Sequence, residues 1–200
     1  MRGGLGILVL KGLLIRRVGI DGRFGAELLG EGDLLRPWQD ESDSPMLPLQ
    51  TGWSVVEPAR LVLLDEEFVQ RLASYPELGP AVVARAMQRV RNLAVNMAIV
   101  HQARVDVRLL MLLWHLAGRW GRVRSEGTVV RMRLTHALLA DLVAARRPTV
   151  TSALSELARK GLLRSSGDEW MLFGEAPAEL LDIDASASRA ASPPQLASTP

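Results

Sequence analysis

Apolar positions crowd the first twenty residues, in the stretch GILVLKGLLIRRV at 6–18, which is rich in aliphatic and β-branched side chains and broken near its middle by Gly12. Such a run predicts a strand. Asp21-Gly22 follows, and both central positions of tight hairpin turns often need a positive φ, so Arg23–Leu29 reads as the return strand. Gly30–Asp33 (GEGD) is a second turn, and Leu34–Trp38 continues extended until Pro37 blunts it. Asp40–Pro48 (DESDSPMLP) has the composition of a loop, and Trp53–Glu57 and Ala59–Leu64 read as two short strands separated by Pro58. The pattern predicts an antiparallel region of five or six strands, with no room for a parallel crossover between them.

The period changes at Asp65. An acidic first turn, Asp65-Glu66-Glu67, precedes Phe68, Leu72 and Tyr75 at helical spacing before Pro76. Beyond Gly79-Pro80, Val83, Ala86, Val90, Leu93, Met97 and Val100 recur at intervals of three and four, the a and d positions of a heptad. Arg85, Gln88, Arg89, Arg91, Asn92 and Asn96 occupy the other faces. A stripe this narrow suits a second copy of itself better than a domain surface, so these six residues are the expected homodimer interface. Burying the five larger ones contributes roughly 1.5–3 kcal/mol each at most, enough for a dimer after ordering costs. Packing against the β region is the alternative. Val105–Trp120 predicts another helix, with Val107, Leu110, Leu113, Trp114 and Ala117 inward and Gly118 and Gly121 at its end. Arg122–Arg133 reads as a basic hairpin.

Residues 134–173 carry the most specific punctuation. Thr135 is an N-cap candidate for a short helix that faces Leu138, Leu139 and Leu142 inward, and the pattern breaks over Ala144–Arg146. A second helix begins around Pro148, tolerated where the N–H would be unpaired anyway, and buries Val150, Ala153, Leu154 and Leu157. Lys160-Gly161 closes it, and Leu162–Phe173 folds as a small hairpin. Helix, tight turn, helix and hairpin make a winged helix-turn-helix. Its second helix would enter a major groove of double-stranded DNA with Arg147, Thr151, Ser152 and Ser155 toward the bases. Thr135, Arg146, Thr149 and Arg164 are placed for phosphates. A bundle corner with an Arg-rich rim is the competing reading.

Composition and charge narrow the picture. The chain has 200 residues, 48% hydrophobic and 23% charged, and a net charge of only +2. That small net value conceals a basic block: residues 82–164 hold fifteen Lys and Arg against four Asp and Glu, while both flanks are acidic. Such a block suits a polyanion partner. With no Cys and three scattered His, the sequence offers no thiol chemistry and no metal site. No apolar run reaches the length of a membrane span, which points to a cytoplasmic protein. Neither a nucleophile–base pair nor a converging carboxylate dyad stands out, so no catalytic residue and no cofactor is expected. His115, beside Trp114 on an apolar helix, reads as a packing residue.

Leu134–Leu163, with its LADLVAARRPTVTSALSELARKGLL, resembles the DNA-binding domain of the Crp/Fnr (catabolite activator / fumarate–nitrate regulator) superfamily. Residues 6–35 resemble, less specifically, the later strands of that superfamily's cyclic-nucleotide-binding-like β-roll. The resemblance implies an α+β protein: an N-terminal antiparallel β-roll (partial jelly roll) at 1–64, a short helix and long dimerisation helix at 65–104, and a C-terminal winged helix-turn-helix at 105–174; the Ala-, Ser- and Pro-rich composition of 175–200 predicts a disordered tail. It implies a sequence-specific transcription regulator that binds an inverted-repeat operator as a homodimer. RNA polymerase and an unidentified small-molecule effector are the further partners it allows. Three departures matter. The β-roll begins late, so either the sensor is reduced or the native chain starts upstream of Met1. Arg36-Pro37 stands where a nucleotide binder carries Gly-Glu, and no phosphate-clamping Arg precedes Arg60, which argues against dependence on cyclic AMP. Pro148 and Ser152 replace an acidic reader and a reading Arg of the catabolite activator, and Ala144 replaces the usual turn Gly, at some strain if that position needs a positive φ. The alternative function is a small-molecule sensor or protein-interaction module whose winged helix does not read DNA.

Overall fold

The computed structural model describes residues 4–39 and 49–177. The expected loop at 40–48 and nearly all of the expected tail lie outside the described residues.

The N-terminal unit is built on one long strand, β1 (Gly6–Ile20). It pairs antiparallel with β2 (Arg23–Leu29), and Asp21 and Gly22 between them take φ of 51° and 72°, as the hairpin turn requires. A two-residue strand, β3 (Leu34–Leu35), pairs with the start of β1, and a 3-10 turn at Pro37–Gln39 follows, so the extended stretch expected to Trp38 stops early. The other edge of β1 is covered along its length by β4 (Gln50–Leu64).

The expected break at Pro58 does not exist: Trp53–Glu57 and Ala59–Leu64 are parts of this one strand, and the described sheet has four strands rather than five or six. The register shifts between Val9 and Leu14, and Gly12, at φ 94°, lies against the Pro58 carbonyl, so closely that a Cβ there would collide with it. A proline that cannot donate is accommodated at this irregularity instead of ending the strand.

Helix α1 (Glu66–Leu72) is capped by Asp65, whose carboxylate accepts the Phe68 N–H at 2.9 Å; it ends before Tyr75, which is exposed. Helix α2 (Leu78–Val100) buries Asn92, Val95 and Ile99 on one face. Helix α3 (Val105–Trp120) is the centre of the core. Its fully buried residues are Leu109, Met111, Leu112, Leu113 and Leu116, whereas the expected inward residues Val107, Leu110 and Trp114 are half-buried. A helix enclosed on most sides has no single apolar stripe to read. It also runs through Gly118 to Trp120, with Gly121 as its cap.

Strands β5 (Arg122–Arg124) and β6 (Gly127–Arg131) form the basic hairpin. Then come α4 (His136–Leu142), α5 (Arg147–Arg159), β7 (Leu163–Ser166) and β8 (Glu169–Leu172). Pairing of β6 with β8 joins the two hairpins into one sheet, in the order β5-β6-β8-β7. The larger core cluster spans α3, α4, α5 and this sheet, and reaches Leu13, Ile15 and Leu28 of the first sheet. Among the described residues, no helix is long and apolar enough to cross a membrane.

Three ion pairs fasten the first sheet to the helices. Asp33, buried, accepts from the Gly30 N–H at 2.8 Å and from Arg119 Nη2 of α3 at 2.6 Å, and Arg119 stacks over Trp120 with 3.7 Å to the ring centroid. Burial raises the Asp33 carboxyl above its ordinary pKa despite Arg119. Glu27 receives Arg89 of α2 through both oxygens, at 2.9 and 3.0 Å, which holds Arg89 against the first sheet. Arg17 of β1 reaches Asp141 of α4 at 2.8 and 3.0 Å.

Candidate nucleic-acid interface

Helix α4 starts at Thr135, whose Oγ1 accepts the Leu138 N–H at 3.1 Å, and it buries Leu138, Leu139, Ala140 and Leu142. The turn that follows places Ala144 at φ 50°, a left-handed conformation with a steric cost for any residue with a Cβ. Arg146 is the N-cap of α5 with an extended backbone and no side-chain cap bond, and Pro148 lies in the first turn. Val150, Leu154 and Leu157 are buried at 0%, 6% and 2% exposure, which fixes the rotation of the helix about its axis.

That rotation turns Arg147, Thr151, Ser152 and Ser155 outward together, and all four are exposed, as are Thr149 and Arg146 beside them. Among the described residues the guanidinium of neither Arg146 nor Arg147 makes a hydrogen bond or ion pair. The three hydroxyls donate backward along the helix: Thr151 to the Arg147 carbonyl at 3.1 Å, Ser152 to Pro148 at 3.2 Å and Ser155 to Thr151 at 3.0 Å. Each keeps a lone pair to accept from a base, and can rotate to donate instead. Arg164, in β7, is exposed and shared between Glu126 at 3.6 Å and the Phe173 ring.

Charge is distributed unevenly along α5. At its C-terminal end Glu156 takes Arg159 at 2.8 Å and Lys160 at 3.3 Å, and its carboxyl is held below its ordinary pKa by those hydrogen bonds. The unpaired cations are therefore at the N-terminal end, where the helix dipole is also positive.

One contributor escaped the sequence reading. His136 Nδ1 lies 2.9 Å from Thr151 Oγ1. This hydrogen-bond contact ties Thr151 to the first turn of α4. A His at one helix start and a Thr fifteen residues on carry no local signal of this contact.

The seam residues on α2 share one face, opposite Asn92, Val95 and Ile99. Val83, Val90 and Met97 are 61%, 60% and 62% exposed, Ala86 is exposed, and Leu93 and Val100 are half-buried. Leu78 and Met87 extend the exposed apolar surface. Between this helix and the first sheet lies a cavity of about 320 Å³ lined by Arg16, Arg36, Arg89 and Trp53 among others. No group of three or more His, Asp or Glu among the described residues could hold a metal ion.

Residues 107–173 match the family model of the Crp-like helix-turn-helix domain. Over 121 residues the chain is 28% identical to a CRP-like cAMP-activated global transcriptional regulator of Mycobacterium tuberculosis, a match that covers 60% of this chain and 54% of that protein. The chain thus spans about half the length of the curated relatives it matches. Solved structures similar to it include a CooA mutant from Carboxydothermus hydrogenoformans, with a TM-score of 0.65 and 16% identity over 94% of this chain and 80% of that one. A cyclic nucleotide-binding domain containing protein from Listeria monocytogenes gives a TM-score of 0.67 and 16% identity over 82% and 78%. These two likenesses are of fold.

Proposed function

We propose, on the premise that residues 107–173 are a Crp-like helix-turn-helix domain and that the chain has the Crp/Fnr fold, that this protein is a sequence-specific transcription regulator acting as a homodimer on an inverted repeat. The observation that carries this reading is the start of α5. Two adjacent arginines without partners, Arg146 and Arg147, stand at the positive end of a helix whose outward face is otherwise Thr and Ser. Arg147 donates two parallel hydrogen bonds to a guanine edge, worth about 1–3 kcal/mol of discrimination, with Thr151, Ser152 and Ser155 reading neighbouring bases. Arg146, Thr135, Thr149 and Arg164 hold phosphates, which fix register without reading sequence.

The exposed heptad face of α2, from Val83 to Val100, is the dimer interface in this reading. Pairing it would set two α5 helices about one DNA turn (~34 Å) apart. An input at the cavity between α2 and the first sheet, which Ala86, Val90 and Leu93 of the seam also line, would be relayed through the Glu27–Arg89 pair and rotate the two helices about the seam. Cyclic AMP is not that input, because Arg36-Pro37 occupies the place of the ribose-binding Gly-Glu, and Pro37 opens a 3-10 turn there.

Fluorescence anisotropy with a labelled random duplex tests the DNA reading. Binding through ~6–10 phosphates loses a factor of about 10³–10⁵ in affinity between 50 and 200 mM salt. Salt-independent association, or none at low salt, would favour a sensor or protein-interaction module instead.

A further inference from the structure

The three hydroxyls on the outward face of α5 look alike in sequence, but their surroundings differ. Ser152 Oγ donates to the Pro148 carbonyl at 3.2 Å and Ser155 Oγ to the Thr151 carbonyl at 3.0 Å. Among the described residues neither hydroxyl has a second polar contact. Carbonyls inside a helix already accept an N–H from four residues on, so either serine can give up its bond at little loss. Both can donate to a base or accept from one.

Thr151 is held twice. Its Oγ1 is 3.1 Å from the Arg147 carbonyl and 2.9 Å from His136 Nδ1, yet the residue stays exposed. The half-buried His136 is fixed by the packing of α4 on α5, where Leu138, Leu139 and Leu142 share a core with Val150, Leu154 and Leu157. A threonine in a helix divides between two χ1 rotamers, and an anchor on a second helix selects one of them.

A hydroxyl oxygen offers one proton and two lone pairs. In Thr151 two of those three directions face the Arg147 carbonyl and the ring nitrogen. If Nδ1 carries the ring proton, it donates to Oγ1 and the Thr151 proton goes to Arg147. If Nδ1 is bare, it takes the Thr151 proton and the other two directions hold only lone pairs. Either way, the direction left for DNA holds a lone pair, and donating to a base would draw the proton away from an anchor.

Every base pair presents one amino group and one keto oxygen to the major groove. We propose that His136 is a positioning residue that makes Thr151 an acceptor, so that Thr151 reads the amino group, adenine N6 or cytosine N4, and not the keto oxygen. This rests on the DNA reading above and gives it a chemical class of base contact at one base pair of each half-site. The competing role for His136 is to hold a phosphate, which would strengthen binding to all sequences alike.

Two measurements on the full chain test the inference. The first needs no DNA: the imidazole ¹⁵N signals of the three His are recorded at one pH, with His136→Asn to identify the pair of interest. Thr151→Ala is expected to move the His136 Nδ1 signal, and a signal that stays in place overturns the contact and the inference with it. In the second, site selection with wild type and Thr151→Ala locates the base pair that Thr151 reads. Duplexes are then made with bases lacking either the amino group or the keto oxygen at that pair, and the same duplexes with Thr151→Ala subtract the effect of the lost base-pair hydrogen bond. Deleting the amino group is expected to weaken the wild type by about three- to tenfold, the range of a single net hydrogen bond. His136→Ala is expected to lose most of that response, His136→Asn to restore it through an amide placed near where Nδ1 lies, and the double variant to match Thr151→Ala. A response to the keto oxygen instead, or an amino response that survives His136→Ala while every sequence weakens alike, overturns the inference and leaves DNA reading intact. A pool that stays random overturns the DNA reading and this inference together.

Discussion

His115 gives the sharpest quantitative expectation. Its ring is enclosed between α2 and α3, with Arg119 one turn on in its own helix, and burial holds its pKa down at about 4 against an ordinary value of 6.5. In the folded protein the ring stays neutral while in the unfolded chain it takes a proton as pH falls below about 6.5. The unfolded state thus binds more protons across that window. Stability is highest above pH 6.5, falls as pH drops toward 4 and then levels off. The full gap corresponds to roughly 3 kcal/mol, of which roughly 2 kcal/mol is lost between pH 7 and pH 5. For a chain of this length that is a fall of about 4–8 °C in thermal midpoint. Other groups titrate nearby: Asp33, raised by burial, works in the opposite direction, and Asp106 and Glu156, lowered by hydrogen bonds from Arg104 and Arg159, act at the acid end. The comparison is therefore between the wild type and His115→Leu, which removes the titrating ring and its buried orphan nitrogen. Urea unfolding at pH 7 and pH 5 is expected to show the variant losing roughly 2 kcal/mol less than the wild type. Equal losses, within about 0.5 kcal/mol, would refute the argument that burial keeps the ring neutral.

Ala144→Gly relieves a left-handed φ of 50° and is expected to stabilise the protein by about 0.5–1 kcal/mol, since the relief of ~1–2 kcal/mol is partly offset by chain entropy; an unchanged urea midpoint contradicts this. Leu93→Asp puts a charge into the heptad seam and is expected to leave a folded monomer in sedimentation velocity, whereas an unchanged sedimentation coefficient removes the seam as the interface. Arg147→Ala is expected to cost about 1–3 kcal/mol on the selected operator and to relax one base per half-site, while Arg146→Ala weakens operator and random DNA alike. Equal losses for both on both DNAs mean the division between readers and phosphate contacts is wrong.

The parts of the fold legible from sequence are those with local chemical punctuation. Thr135, Pro148 and Lys160-Gly161 each act within a turn of chain, and they delimit α4 and α5 to within a residue or two. Asp21-Gly22 fixed the first hairpin for the same reason. What stayed hidden depends on residues far apart. Pro58 looked like a strand break because its effect is absorbed by a bulge opposite Gly12, forty-odd residues away. Nothing in the sequence around Arg89 announces its pairing with Glu27, sixty-two positions distant. The outward face of α5 followed from the buried spacing of Val150, Leu154 and Leu157, but nothing in that spacing announces His136 beside Thr151.

The central claim, that two copies of this chain read DNA sequence through α5, is met most directly by selecting bound sites from a random duplex pool with purified protein and no added ligand. The account predicts enrichment of an inverted repeat whose half-sites are separated by about one helical turn. Enrichment of a single, unrepeated half-site would contradict the dimer, and a pool that stays random after several rounds would contradict the reading of sequence itself.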